Sequence, residues 1–168
     1  MGEVVVAITG ASGAIYGKRL LEVLNEMSIA TRLVVTKSGE ITLQHECQLT
    51  KEELVKMTNS TLEDQSNVGG KSASGSSKID AVVMCACSGT TIGKLANKLH
   101  KDGKKVLLVD DEPDVLDTLE DLLSMCEVVK CTNYKAAKDY METRYFDMAV
   151  LDIMGVEGYE LLDIAVGR

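Results

Sequence analysis

The chain begins twice. Residues 4–17, VVVAITGASGAIYG, run from a β-branched apolar stretch through a glycine turn into a segment whose apolar residues recur at spacings of three and four. Residues 104–116, KKVLLVDDEPDVL, repeat the plan with a short apolar strand, two aspartates at its end and a proline that opens a helix. Strand followed by helix, repeated, needs parallel pairing, because each helix carries the chain back to the start of the next strand. This feature constrains the chain more than any other, and it excludes helical bundles and antiparallel sandwiches.

The remaining segments continue the alternation. Strands are expected at 3–9, 31–36, 80–86, 106–110, 127–131 and 147–152. Helices are expected at 13–27, 39–47, 50–57, 92–99, 113–125, 134–144 and 158–165. Residues 58–78, rich in Ser, Asn and Gly, read as a long loop, and loops of that length inside compact domains are usually functional. The fold class is α/β: a three-layer, doubly wound parallel sheet of the Rossmann-like or flavodoxin-like kind, with about six strands. Residues 1–103 form one segment and residues 104–168 a second, which the economy of a 168-residue chain suggests completes one continuous sheet.

Composition narrows the partners. The net charge of −8, the single Phe and the absence of Trp leave no basic stripe interleaved with aromatics, so nucleic acid is not expected to bind. No apolar run approaches the roughly 20 residues that cross a bilayer, and no leader segment is read, so a cytoplasmic protein without a membrane partner is expected. The five cysteines, Cys47, Cys85, Cys87, Cys126 and Cys131, are odd in number and read as reduced. Cys85 and Cys87, with only His45 and His100 elsewhere, lack a four-ligand zinc spacing and read as structural thiols facing one side of a strand.

In TGASGAIYG, Gly10 and Gly13 allow a sharp turn at a strand end, and Ser12 adds a hydroxyl where helix amides point outward. Such a start suits a phosphate, although close packing alone also selects glycine there. The string YKAAK, Tyr134 to Lys138, fits a dehydrogenase Tyr-x-x-x-Lys pattern, but the glycine spacing of the turn does not, and a surface pair on a helix explains it better.

Further strings extend the first half: VVTK at the second strand end, ASGSS at 73–77, and CACSGTT before a helix. Together with ITGASGAIYGKRLLEVL, over about residues 3–99, they resemble the flavin prenyltransferase family of UbiX type, within the doubly wound flavoproteins. The resemblance implies bound flavin mononucleotide (FMN). Gly10, Ala11 and Ser12 would line the site, with Thr36 at the second strand end and Ser88, Gly89, Thr90 and Thr91 at the third. Glu46 matches a catalytic acid near the reacting flavin; on the residues alone it is a helix carboxylate. The resemblance also brings a homo-oligomer into view, since the family's site draws on neighbouring subunits. Past Leu99 the chain departs from the family, entering KKVLLVDD through the junction HKDG, where basic residues that handle a prenyl phosphate are expected.

Residues 104–165 resemble a truncated CheY-like receiver domain, on VLLVDDEPDVLDTLEDLL and FDMAVLDIMGVEGYELL. That resemblance implies magnesium held by Asp110 and Asp111, with Asp152 as phosphoacceptor. The bland alternative is three exposed strand-end carboxylates, and strand order decides between the two. Carboxylates on adjacent strands lie roughly 5 Å apart and can share a cation, whereas one intervening strand separates them by roughly 10 Å.

The two beginnings are read as a join near Leu99–Lys104, in an engineered or recombined chimera. The expected function is an FMN-binding flavoprotein whose prenyl-transfer and phosphorelay activities are lost. The alternatives are a structural chimera without ligand and a weak magnesium-binding phosphoacceptor fragment. Enzymatic activity, if present, would be flavin prenyltransferase-like.

Overall fold

A computed structural model describes residues 3–67, 69–73, 77–99, 104–152, 160, 161 and 164. The chain divides into two units, Met1–Ser88 and Gly89–Arg168. Seven strands and six α-helices alternate along the described residues. All strand pairs are parallel, as the alternation demands.

The first unit comprises β1 (Glu3–Ile8), α1 (Ala14–Glu26), β2 (Thr31–Val35), α2 (Lys37–Cys47), α3 (Lys51–Thr58), β3 (Thr61–Glu63) and β4 (Ile79–Met84), with a single 3₁₀ turn at Lys71–Ala73. Its sheet has the order β3-β2-β1-β4. β1 pairs on both sides, and Val4, Val5, Val6 and Ile8 are all buried, which is why its sequence is a continuous apolar run. β2 keeps a clean alternation, with Thr31, Leu33 and Val35 buried and Arg32 and Val34 partly exposed. Helix α1 buries Ala14, Gly17, Leu20, Leu21 and Leu24, the stripe its three-and-four spacing sets up. Helix α3 starts in a capping box between Thr50 and Glu53.

Strand β3 lies within the stretch expected to be loop. It runs beside β2 in the register Arg32↔Thr61 to Val34↔Glu63. The Glu63 carboxylate, buried, meets Arg32 at 3.1 Å and accepts hydrogen bonds from the Ser72 backbone N–H and hydroxyl. Arg32 also holds Glu3, at 3.0 Å. Gly70 sits so close that a Cβ there would lie 2.1 Å from Glu63 Oε1. This long stretch is therefore partly built structure, tied down by one buried carboxylate.

The second unit comprises α4 (Gly89–Leu99), β5 (Lys105–Val109), α5 (Pro113–Leu122), β6 (Glu127–Cys131), α6 (Tyr134–Thr143) and β7 (Met148–Leu151), with the order β6-β5-β7. Leu107, Val109, Cys131, Ala137, Met141 and Leu161 form one cluster of its core, and Val106, Leu108, Leu116 and Leu123 are buried as well. Asn133 caps α6 by accepting the Ala136 N–H, and Pro113 opens α5. The last expected helix, 158–165, lies largely outside the described residues.

The α/β class and parallel doubly wound character stand, but the strands form sheets of four and three rather than one sheet of six. β3 supplies the extra strand, and each unit packs its helices on a sheet and core of its own. No helix among the described residues is long and apolar enough to cross a membrane.

Candidate functional site

The loops that follow β1, β2 and β4 begin level with one another. The Thr36 N–H donates to the Ile8 carbonyl at 3.1 Å, and the Cys85 N–H donates to the Ala7 carbonyl at 2.9 Å. In the order β3-β2-β1-β4 the chain leaves β1 toward β2 and returns on β1's other side as β4. Open α/β sheets hold ligands outside the strand ends at such a reversal.

Gly10 and Gly13 have φ values of +93° and +102°, a left-handed backbone that other residues adopt only with strain. Gly10 also packs against the start of α2, where a Cβ would lie 2.5 Å from Ser38 Cβ. Gly39 is drawn onto the end of β1, and a Cβ there would meet the Ile8 carbonyl oxygen at 2.2 Å. The glycine turn and the first turn of α2 thus form one close-packed corner. Thr36 caps α2 by accepting the Gly39 N–H at 3.1 Å.

Glu46 completes the corner. From the last turn of α2 its carboxylate accepts the Gly13 N–H at 3.1 and 3.0 Å and the Ala14 N–H at 2.7 Å. Helix α1 has no side-chain cap from its own N-cap residue, so Glu46 satisfies amides that would otherwise be open. The anion position foreseen for a phosphate is therefore occupied by the chain's own carboxylate. Ser12 is exposed and makes no hydrogen bond among the described residues, while Ala11 is partly buried.

Tyr16 folds its ring back over Gly13, where a Cβ would lie 2.9 Å from Cδ2, 3.2 Å from Cε2 and 3.4 Å from Ala86 Cβ. The Thr9 hydroxyl donates to the Ala86 carbonyl at 2.9 Å and ties the first loop to the third. Cys85 and Cys87 lie just past the end of β4, so strand alternation does not govern them. Cys85 is buried and its thiol pKa is pushed up to about 11, chiefly by burial and then by Cys87; burial also raises Cys87. Both are held as neutral thiols, in keeping with a structural role. All five cysteines are free.

Of the residues singled out in the sequence, the structure gathers Gly10, Ala11, Ser12, Thr36 and Glu46 in the corner of the first unit. Ser88 ends that unit, and Gly89, Thr90 and Thr91 form the first turn of α4 in the second. Sequence reasoning passed over Tyr16 and Gly39. Tyr16 carried a legible signal, because the next aromatic residue is Tyr134.

In the second unit β7 lies directly beside β5. The Asp152 N–H donates to the Val109 carbonyl at 2.8 Å, and Asp110 and Asp111 follow β5 immediately. Carboxylate oxygens of Asp110, Asp111 and Asp152 all come within 4.8 Å of one another. The Asp110 carboxyl is raised above the usual range, first by burial and then, against the Glu112 N–H that it accepts at 2.9 Å, by the charges of Asp152 and Asp111.

A parallel sheet with a glycine turn and level strand ends at its topological reversal defines an open, doubly wound α/β protein. The Flavoprotein family model matches residues 2–102, and the chain belongs to that family. It is 34% identical over 105 residues to the flavin prenyltransferase UbiX of Aquifex aeolicus, covering 61% of this chain and 56% of that protein. The chain spans about half the length of the curated relatives it matches. Its fold is similar to AnUbiX (PadA1) in complex with FMN and dimethylallyl pyrophosphate, with a TM-score of 0.61, 19% identity, and coverage of 77% of this chain and 76% of that one. It is also similar to a dodecameric FMN-dependent UbiX-like decarboxylase from Escherichia coli O157:H7, with a TM-score of 0.60, 24% identity, and coverage of 76% and 77%.

Proposed function

We propose that the first unit binds FMN in the crevice outside β1, β2 and β4, and that the chain acts as a flavoprotein related to the flavin prenyltransferases. The observation that carries this reading is the corner itself. Three loops start level, two left-handed glycines bring the backbone close, and the Gly13 and Ala14 amides already draw a carboxylate to the start of α1. Gly10, Ala11, Ser12 and Thr36 line the flavin in this reading, and Ser88 borders it. Because Glu46 fills the α1 amides, the flavin phosphate belongs nearer the Ser12 and Thr36 hydroxyls. Glu46 is then the acid beside the bound ring. FMN supplies redox and covalent chemistry at its isoalloxazine; this chain's residues bind and orient it.

Prenyl transfer is not part of the proposal. A departing phosphate needs fixed positive charge, and the sequence runs from Leu99 through a short junction into β5 where the resemblance places that segment. A cytoplasmic homo-oligomer fits the reading, in the manner of the dodecameric relative. The test is an absorbance titration of the purified chain with FMN, repeated on Ser12→Ala and Thr36→Ala. Saturable binding that weakens several-fold in both variants supports the reading. No binding at high FMN would favour the alternative, a chain that carries the fold without the ligand.

A second reading concerns the second unit. Asp152 beside Asp110 and Asp111 is the arrangement in which a receiver-like magnesium pocket survives, and it keeps open the reading of residues 104–168 as a receiver fragment joined near Leu99–Lys104. Magnesium binding abolished by Asp152→Asn would support it.

A further inference from the structure

We propose that Tyr16 is the aromatic residue that contacts the flavin ring in this chain, an inference that rests on the FMN reading above. An isoalloxazine is broad, flat and largely apolar, and pockets for such ligands are usually walled by aromatic side chains that stack or meet the ring edge-on. The first unit offers one candidate. Tyr16 is the first aromatic residue of the chain and Tyr134 the second, so the core of the first unit is built without any aromatic residue.

Tyr16 is not one of the core residues. It is half-buried, in the first turn of α1, and its ring leans back toward the helix start, as helical aromatic side chains do. The ring reaches Gly13, where it occupies space a Cβ would need, and Ala86 lies beside the same point. Those two residues belong to the loops after β1 and β4, the strands on either side of the reversal where the crevice opens. Glycine at 13 therefore does more than permit a left-handed turn, because the phenol ring lies where a Cβ would stand and the loop after β4 borders the same point. The Glu46 carboxylate lies on the neighbouring amides, so the ring and the acid flank the same turn.

The experiment uses flavin emission. A phenol in contact with an excited isoalloxazine gives it an electron and takes it back, which quenches emission without net chemistry; a benzene ring does this poorly. FMN is added to the full chain and to Tyr16→Phe, with the bound fraction measured by equilibrium dialysis and emission expressed per bound flavin. The expected result is strongly quenched emission in the wild type and a several-fold recovery in Tyr16→Phe, with affinity kept within about threefold because the ring remains. Tyr16→Ala, checked for folding by circular dichroism, should weaken binding about five- to tenfold. Equal binding with equal emission in wild type and Tyr16→Phe would overturn the assignment while leaving the FMN reading intact. No binding of FMN by the wild type would overturn both.

Discussion

Glu46 spans 33 residues of sequence to reach Gly13, and neither its identity nor its spacing announces that contact. A carboxylate that accepts from two helix-start amides replaces a missing N-cap and complements the helix dipole. Glu46→Ala should therefore lower stability by about 1–2 kcal/mol in urea unfolding, with Glu46→Gln costing less because one oxygen still accepts. Equal stability of all three proteins would mean that the cap contributes nothing. Gly39 makes a sharper demand. Gly39→Ala places a Cβ against the Ile8 carbonyl, at 2.2 Å before relaxation, and should cost about 3 kcal/mol, read from the same unfolding curves. Residues of this kind were only half legible. Gly10 and Gly13 are visible because a strand end followed by a helix needs a tight turn, whereas the glycine at 39 is explained only by a strand distant in sequence. Glu46 was legible through resemblance alone, and its hydrogen bonds emerge only when α2 folds beside α1.

At the scale of elements the alternation was readable because its signals are local. β-branched runs end in Gly or Asp, and helix stripes follow a period of 3.6. Boundaries shifted by a residue or a few, as with α5, which ends at Leu122, and α4, which begins at Gly89 and so takes in part of the expected turn. β3 was not readable. Three residues, Thr61–Glu63, have no periodicity of their own and are a strand only because β2 pairs with them and Arg32 holds Glu63. The end of β4 yields a pH prediction. Burial raises Cys85 from an ordinary value of 9.0 to about 11, so the folded state favours the neutral thiol. The stability this provides is complete below pH 9 and is lost as pH rises toward about 11. Between these limits the wild type should lose about 2 kcal/mol more than Cys85→Ala, measured by urea unfolding across the range. Parallel pH profiles would show that the thiol ionises freely.

Among the described residues the molecule contains two parallel sheets where the sequence suggested one. Residue patterns specify the longer strands but leave open which strands become neighbours, because pairing depends on how each helix packs across its own sheet. The order β6-β5-β7 answers the question that strand spacing left open about Asp110 and Asp152. With β7 next to β5 the carboxylates converge, and burial with mutual repulsion favours a proton or a cation there. Magnesium binding followed by calorimetry should weaken as the medium is acidified and the Asp110 carboxyl, raised by burial, takes up a proton, and Asp152→Asn should reduce affinity at least about tenfold. Absence of any heat at millimolar magnesium would return the three aspartates to plain strand-end charge.

Whether a flavin is held outside β1, β2 and β4 is read most directly from amide chemical shifts of the labelled full chain during addition of FMN. Saturable changes should concentrate at Gly10–Gly13, at Thr36–Gly39 and at Cys85–Ser88. Saturable changes centred on the second unit, or an unchanged spectrum at high FMN, would contradict a flavin held there.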